Sequence, residues 1–533
     1  MMNIAKKEKY KSILVWLFFI CFDAAVVILG FHNKPLNSDV SNHILQAKDL
    51  ISGNLMYKGW TLSRINFLTG DMLFYELAVA LKGVSYQASI LANALMVLAV
   101  QLISYHICCF KSELNLKGKL AALGVIMVPS ISLLRQLMMH PGCWIYCLAA
   151  FMIYMIMNEE GDTRKRNKFC VIYVVLMALG VFGDFLIYLY GLMPCFIYSM
   201  INWYREDDHK KRKRHIILAF SNVFAAITGW IITFLYYYIG GADKGGYVLG
   251  LSFLTLEEFG KKIVSLIHLV MYLCGADFTG KKALYPSTVL NCFNFLLLLT
   301  GIALFFYTLI GYIRKREHDI ISVLLDLSII MAAIPYIFTT QSQDRYVSII
   351  PIALYMLIVR NAQVIWNNSG QNLKLNQLIA LGVVVISMAG RMYGIVESSR
   401  AVYSDKHEEL TAFLQENGLY NGYASYWHSS ISTVLSDENV CIRHVEKNRD
   451  GKISRFVWFG KEEWYHEESH FVVIDNSKKD RGETDGYEVS EKNSIATFGT
   501  PDARLEHGDF IILVYDEDIS GKLGTPDAKS SHF

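Results

Sequence analysis

Long apolar runs separated by short basic loops constrain this chain more than any other feature. A run of about twenty apolar residues has only a bilayer or the inside of a helix bundle to go into. The first, Ser12 to Gly30, follows Lys6, Lys7, Lys9 and Lys11. It is too long for the apolar part of a signal peptide and no small-residue cleavage site closes it, so it reads as an uncleaved first span. Further runs lie near 86–108, 119–137, 142–157, 169–182, 185–202, 215–239, 289–312, 319–339, 347–363 and 377–394. The count comes to about eleven spans. With a cytoplasmic N-terminus the inside loops are 109–118, 158–168, 203–214, 313–318 and 364–376. All but the last are rich in Lys and Arg, as the positive-inside rule requires. The odd number of spans then puts 31–85, 240–288 and the tail 395–533 outside the cell membrane.

Composition agrees. The 533 residues are 53% hydrophobic and 18% charged, more apolar and less charged than average soluble domains. A net charge of +2 says nothing about nucleic acid; no basic stripe with interleaved aromatics lies outside the short loops between apolar runs, so the partners expected are membrane lipids and not nucleic acid. Most of the ten cysteines fall inside apolar runs, so no disulfide framework is implied. Cys143 and Cys147 stand four apart with no further ligand nearby, and a structural metal is not implied there either.

The tail changes character. Helix-like segments (Lys406–Glu416, His428–Leu435) alternate with strand-like ones, "NVCIRHV", "SRFVWFG", "HFVVID" and "DFIILVYD". The expected architecture is therefore a mainly α polytopic membrane protein, residues 1–394, carrying an extracytoplasmic soluble α/β domain, residues 395–533. The tail holds no dinucleotide fingerprint, phosphate loop or Ser or Cys nucleophile motif. Its segment "DNSKKDRGETDGYE" reads as a solvated loop.

The stretch "LNSDVSNHILQAKDLISGNLMYKGW" follows the first span directly. Asn37 or Ser38 can cap a helix, Asp39 then falls in its first turn, and Gly53 ends it. Val40, Ile44, Ala47 and Ile51 form an apolar stripe, which predicts a helix lying along the membrane surface. Asp39, His43 and Gln46 share another face. That face is either a solvated one, with Asp39 favouring the helix dipole, or a site. Arg64 and Asp71 follow near the outer surface, ahead of an apolar helix too short to span. In "TTQSQDRYVSIIPIALYML", Arg345 opens a late span from its outer end, where a cation opposes the helix dipole and needs an anion. Asp344 is one candidate; a phosphate ligand, which suits the guanidinium fork, is the other.

Other polar groups at outer span ends have plainer readings. His140 in "LMMHPGCW" marks a helix start. Asp184 in "VFGDFLIY" is a cap at a sharp turn or an acid facing a cavity. "TLEEFGKKIVSLIHLVMYLCG" in the 240–288 loop reads as an interfacial amphipathic helix, with Lys261 and Lys262 able to meet headgroups.

At "NSDVSNHILQAKDLISGN", "LAVALKGVSYQASILANALMVLAV", "RYVSIIPIALYML" and "GYASYWHSSISTVLS" the chain resembles the membrane-embedded GT-C glycosyltransferases, which include protein O-mannosyltransferases and the aminoarabinose transferases of lipid A. The resemblance implies transfer of a hexosyl or pentosyl group from a polyprenyl-phosphate sugar donor to a lipid, glycan or protein acceptor on the outer face. It implies Asp39 as the general base, with Asp71 positioning the acceptor or sharing that role and His43 hydrogen-bonded to Asp39. Arg345, Tyr346 and Arg64 would hold the donor phosphate. The sequence departs from the family in having a single acid at Asp39-Val40 and no proline-rich element after the first loop. The residues establish no cofactor, and a divalent cation stays a candidate. The rival classes are a transporter or flippase of a lipid-linked envelope precursor and a non-catalytic anchor for the tail. Transporters place ionisable groups mid-membrane on broken helices, often in two related halves; here they gather at the outer ends.

Overall fold

The structure, a computed structural model, describes residues 2–63, 65–111, 116–244, 252–316, 319–340, 343–362, 373–400, 405–477 and 489–526. Arg64, most of the expected loop at 364–376 and most of the acidic, lysine-rich segment at 475–488 lie outside the described residues.

The chain is a polytopic, mainly helical membrane protein. Among the described residues seven helices are long and apolar enough to cross a membrane: Tyr86–Cys109, Pro141–Glu159, Thr163–Gly183, His209–Tyr238, Pro286–Ile313, Ile320–Phe338 and Gln377–Arg400, the last inside the longer helix Leu373–Arg400. The first helix, Met2–Phe31, contributes the shorter apolar stretch Leu17–Phe31.

Three of the runs read from the sequence as spans are built differently. The run at 119–137 is two helices, Leu116–Ile126 and Ile131–Gln136, broken at Pro129, which can neither donate a backbone hydrogen bond nor fit behind a helical turn. Arg391, fully buried, donates to the carbonyls of Val125 and Gly124 at 3.0 and 2.9 Å and so serves the open end of the first piece. The run at 185–202 starts as a π-turn, Tyr188–Leu192, before the helix Met193–Arg205. The run at 347–363 is a 3₁₀ turn, Asp344–Val347, followed by Ile349–Arg360. Twelve residues reach about 18 Å, well short of a bilayer. Every residue from Ile349 to Val359 is buried, so its apolarity serves the bundle interior, which hydropathy cannot tell from lipid.

The tail forms a six-stranded mixed sheet. In spatial order its strands are Ile453–Arg455, Cys441–Lys447, Asn421–Ala424, Phe471–Asp475, Phe510–Val514 and Ala503–His507. Asn421–Ala424 runs parallel to both neighbours, and the outer pairs are antiparallel. The helix Lys406–Glu416 lies where the sequence puts it. "SRFVWFG" does not stay one strand: it leaves the sheet after Arg455, and its end joins a second, smaller one.

That second sheet ties the molecule together. Trp60–Leu62 pairs antiparallel with Gly460–Lys461 and parallel with Asp243–Lys244. Each of the three pieces read as lying outside the membrane thus gives one strand. A shared core runs through the same junction, from Val40, Ile44 and Tyr75 to Tyr423, Ile431 and Trp464.

The large sheet is packed closely at its middle. A Cβ on Gly422 would come 2.5 Å from the Phe471 carbonyl oxygen on the neighbouring strand. Gly422→Ala is therefore expected to cost the tail about 1–3 kcal/mol. The check is faster proteolysis of residues after Arg400 while the membrane helices stay protected.

Candidate active site

Asp39 sits in the first turn of the helix Ser38–Ile51, capped by the Asn37 side chain, which accepts from the Val40 amide at 2.8 Å. The carboxylate meets two groups from distant parts of the chain. Its Oδ2 accepts from Arg345 Nη1 at 3.1 Å, and its Oδ1 accepts from the Tyr426 hydroxyl at 2.7 Å. The anion that Arg345 needs is Asp39; its neighbour Asp344 is exposed.

Arg345 is held in the 3₁₀ turn that opens the helix Ile349–Arg360. Its Nη1 also lies 2.9 Å from the Met139 sulfur, and its Nε is buried with no partner among the described residues. The guanidinium faces an open cavity of about 380 Å³ lined by Asn37, Gln136, Met138, Met139, Gln343 and Asp344. A guanidinium that lines a polar opening is what an anionic ligand would meet. Tyr346 turns its ring against His140, with centroids 5.5 Å apart, and its carbonyl accepts from the Tyr190 hydroxyl at 2.8 Å. Its ring also lies 5.7 Å from the Arg345 guanidinium carbon.

The first-loop helix does not lie on a surface. Ser38, Ser41, Asn42, His43 and Gln46 are buried along with Val40, Ile44 and Ala47, and Ile51, expected inside, is 48% exposed. The reason is the tail. Its helix Ser429–Leu435 covers the face expected to be wet, with Ser430 donating to Asn42 at 2.6 Å. Lys48 pairs with Glu438 and Lys461 with Asp49 at the far end.

His43 therefore has a different setting from the expected one. It makes no hydrogen bond to Asp39, and neither ring nitrogen has a partner among the described residues. The ring stacks on Tyr75, 5.3 Å between centroids, with Phe67 and Phe459 edge-on. Burial pulls its pKa down to about 4, so it is neutral at physiological pH.

Asp71 is also placed elsewhere. Both carboxylate oxygens are taken by backbone amides at the start of Pro141–Glu159: Oδ2 by His140 at 2.6 Å and Oδ1 by Gly142 at 2.7 Å. It caps that helix from outside it. Burial pushes its carboxyl up to about 6. His140 marks the helix start as read, in a left-handed conformation, and its Nδ1 lies 2.6 Å from Asp184 Oδ2. Asp184 is a cap as well, accepting from the Leu186 amide at 2.9 Å. Tyr426, Met139, the His140–Asp184 pair and the Asn42–Ser430 contact were not foreseen. "GYASYWHSSISTVLS" carried the signal for Tyr426 and Ser430, but nothing in it names Asp39 as their neighbour.

A divalent cation does not fit this donor set. Asp39 is the one carboxylate meeting Arg345, both its oxygens are engaged, and no group of three metal-ligating side chains occurs among the described residues.

No family model matches the sequence, and no curated protein does. Solved structures do. The chain shares its fold with these structures. It is similar to ArnT from Cupriavidus metallidurans in the apo state, at 9% identity, TM-score 0.55, covering 96% of this chain and 99% of that one. The undecaprenyl phosphate-bound ArnT structure matches at 10% identity, TM-score 0.50, over 93% and 97%. The Archaeoglobus fulgidus oligosaccharyltransferase in complex with zinc and sulfate matches at 13% identity, TM-score 0.50, over 86% and 68%.

Asp71→Asn leaves one amide facing an NH₂ group and is expected to cost about 1–3 kcal/mol of stability. Gly142→Ala should act in the same direction, since its Cβ would fall 2.6 Å from Asp71 Oδ1. Thermal unfolding in detergent checks this; an unchanged midpoint in Asp71→Asn would return Asp71 to the list of chemical groups.

Proposed function

We propose that the protein is a membrane glycosyltransferase that moves a sugar from a polyprenyl-phosphate donor to an acceptor at the extracytoplasmic face, with residues 1–394 as the membrane enzyme and 395–533 as an outer domain closing over it. The observation that carries this is Arg345, which pairs with Asp39 and lines a polar cavity. The likeness in fold to an ArnT structure bound to undecaprenyl phosphate supports the donor class.

The chemistry needs one base and one cation. The acceptor hydroxyl attacks the anomeric carbon, its proton passes to Asp39, and the bond from that carbon to the phosphate oxygen breaks. The electron pair leaves with the polyprenyl phosphate, whose growing charge Arg345 stabilises. Tyr346 and the Met139 sulfur position the guanidinium. In the free protein Asp39 occupies Arg345; a phosphate arriving in the cavity competes for the same fork and loosens the carboxylate as the acceptor needs it. Asp71 and His43 act through shape, the first by fixing the His140 turn and the second by filling the aromatic space beneath Asp39.

A transporter of the same class of lipid is the second reading, favoured by two carboxylates buried within membrane helices. Asp23 lies against Gln101 at 3.3 Å, and Asp326 accepts from Thr308. They sit in separate helix pairs with no polar contact between them, which supports a structural use.

Purified protein incubated with a panel of polyprenyl-phosphate sugars should release polyprenyl phosphate. Asp39→Asn should lower turnover by roughly a hundredfold or more with donor binding kept. Arg345→Ala should weaken donor binding by about tenfold or more, and Arg345→Lys should be intermediate. Wild-type turnover in well-folded Asp39→Asn would sink the base assignment.

Orientation is tested separately. In intact cells an impermeant thiol reagent should label a cysteine placed at exposed Asp450, and one at exposed Lys213 only after lysis. The reverse pattern would turn the topology over.

A further inference from the structure

We propose that Tyr426, from the tail, is a positioning residue for the base, so that the outer domain completes the active site. The inference rests on the reading of Asp39 as the base. Tyr426 lies just after the central strand Asn421–Ala424, and its ring is fully buried. Trp427, His444, Phe456 and Trp458 surround it, with centroids 5.2, 5.5, 5.9 and 5.2 Å away. A ring so enclosed has no rotational freedom to lose when its hydroxyl is used. That hydroxyl meets Asp39 Oδ1 at 2.7 Å, and a phenol facing a carboxylate can only donate.

The contact is fixed from both sides. The helix bearing Asp39 is bound to the same domain through Asn42 and Ser430, through Lys48 and Glu438, and through the strand pairing of Trp60–Leu62 with Gly460–Lys461. Asp39 and Tyr426 are therefore held at one distance by a frame that neither belongs to alone.

The division of labour follows from which oxygen each group takes. Arg345 holds Oδ2, and Tyr426 holds Oδ1. When a donor phosphate draws on Arg345, the carboxylate loses its grip at Oδ2 and would be free to rotate away from the acceptor. Tyr426 keeps it aimed and leaves Oδ2 as the atom that takes the proton. A base held in register gains rate through orientation, and it gains nothing in donor affinity.

The test uses full-length protein and undecaprenyl-phosphate glucose, mannose or arabinose, whichever the wild type turns over, with released undecaprenyl phosphate as the readout. Tyr426→Phe should lower kcat about tenfold, the usual size of one charge-assisted hydrogen bond, with KM for the donor unchanged. 4-Fluorophenylalanine at 426 fills the space of the hydroxyl without a proton to donate, and should lose as much. 3-Fluorotyrosine keeps the hydroxyl and should stay within about twofold of wild type. Wild-type kcat in the two variants without the hydroxyl, an equal loss in 3-fluorotyrosine, or a rise in KM alone would each overturn the proposal. The base assignment fails separately, through an active Asp39→Asn protein; Asp39→Asn dead with Tyr426→Phe fully active would sink only the role of Tyr426.

Discussion

A carboxylate and a guanidinium 306 positions apart in sequence are brought to 3.1 Å, and much of the structure is arranged to keep them there. Their side chains are 16% and 24% exposed, too enclosed for the pair to be a solvated surface contact and too open for a sealed core. Such a pair gives little net stability, because its attraction is set against the loss of hydration. Other interactions must hold it in place: the Asn37 cap behind Asp39, the 3₁₀ turn behind Arg345, and the tail resting on both the helix and the aspartate. The energy lies in the scaffold, and the pair uses it.

The scaffold was largely legible in the sequence. The length of the apolar runs located the long helices, and a cap at Asn37 or Ser38 and the turn at Gly53 bounded the first-loop helix. The runs that proved to be something else had two physical causes: hydropathy is silent on whether lipid or protein replaces water, and a proline breaks a helix whatever its apolarity. Ile349–Arg360 is apolar because the bundle surrounds it, and Leu116–Ile126 ends where Pro129 forces it to, with Arg391 supplying donors from another helix.

The site was legible in its parts and not in its assembly. Arg345 stood out because a cation at the start of a helix opposes the dipole, Asp39 stood out only through the family resemblance, and the structure makes them partners. The helix Ser38–Ile51 misled because an amphipathic pattern assumes that its polar face meets water. Here the polar face meets a second protein layer, where Asn42 finds Ser430 and where Ser38 Oγ, Gln46 Nε2 and both His43 ring nitrogens have no hydrogen-bond partner among the described residues. Of Asp71 the resemblance implies that it positions the acceptor or shares the base role. The amides of His140 and Gly142 consume it, a use visible only once two loops lie side by side.

The small sheet of Trp60–Leu62, Asp243–Lys244 and Gly460–Lys461 has a consequence in time as well as in space. Its strands are made early, midway and late in synthesis, so the first-loop helix must wait, threaded and uncovered, until the last quarter of the chain has emerged. Contacts of such long sequence separation form late, since closing the intervening loops costs entropy before any pairing repays it. The nascent protein thus carries Asp39 on a helix that packs against Met72–Lys82 but lacks its tail-side cover until then. The arrangement of carboxylate, guanidinium and phenol comes into being only once Tyr426 has been made and folded, and a chain cut short before it would keep the membrane helices without that contact.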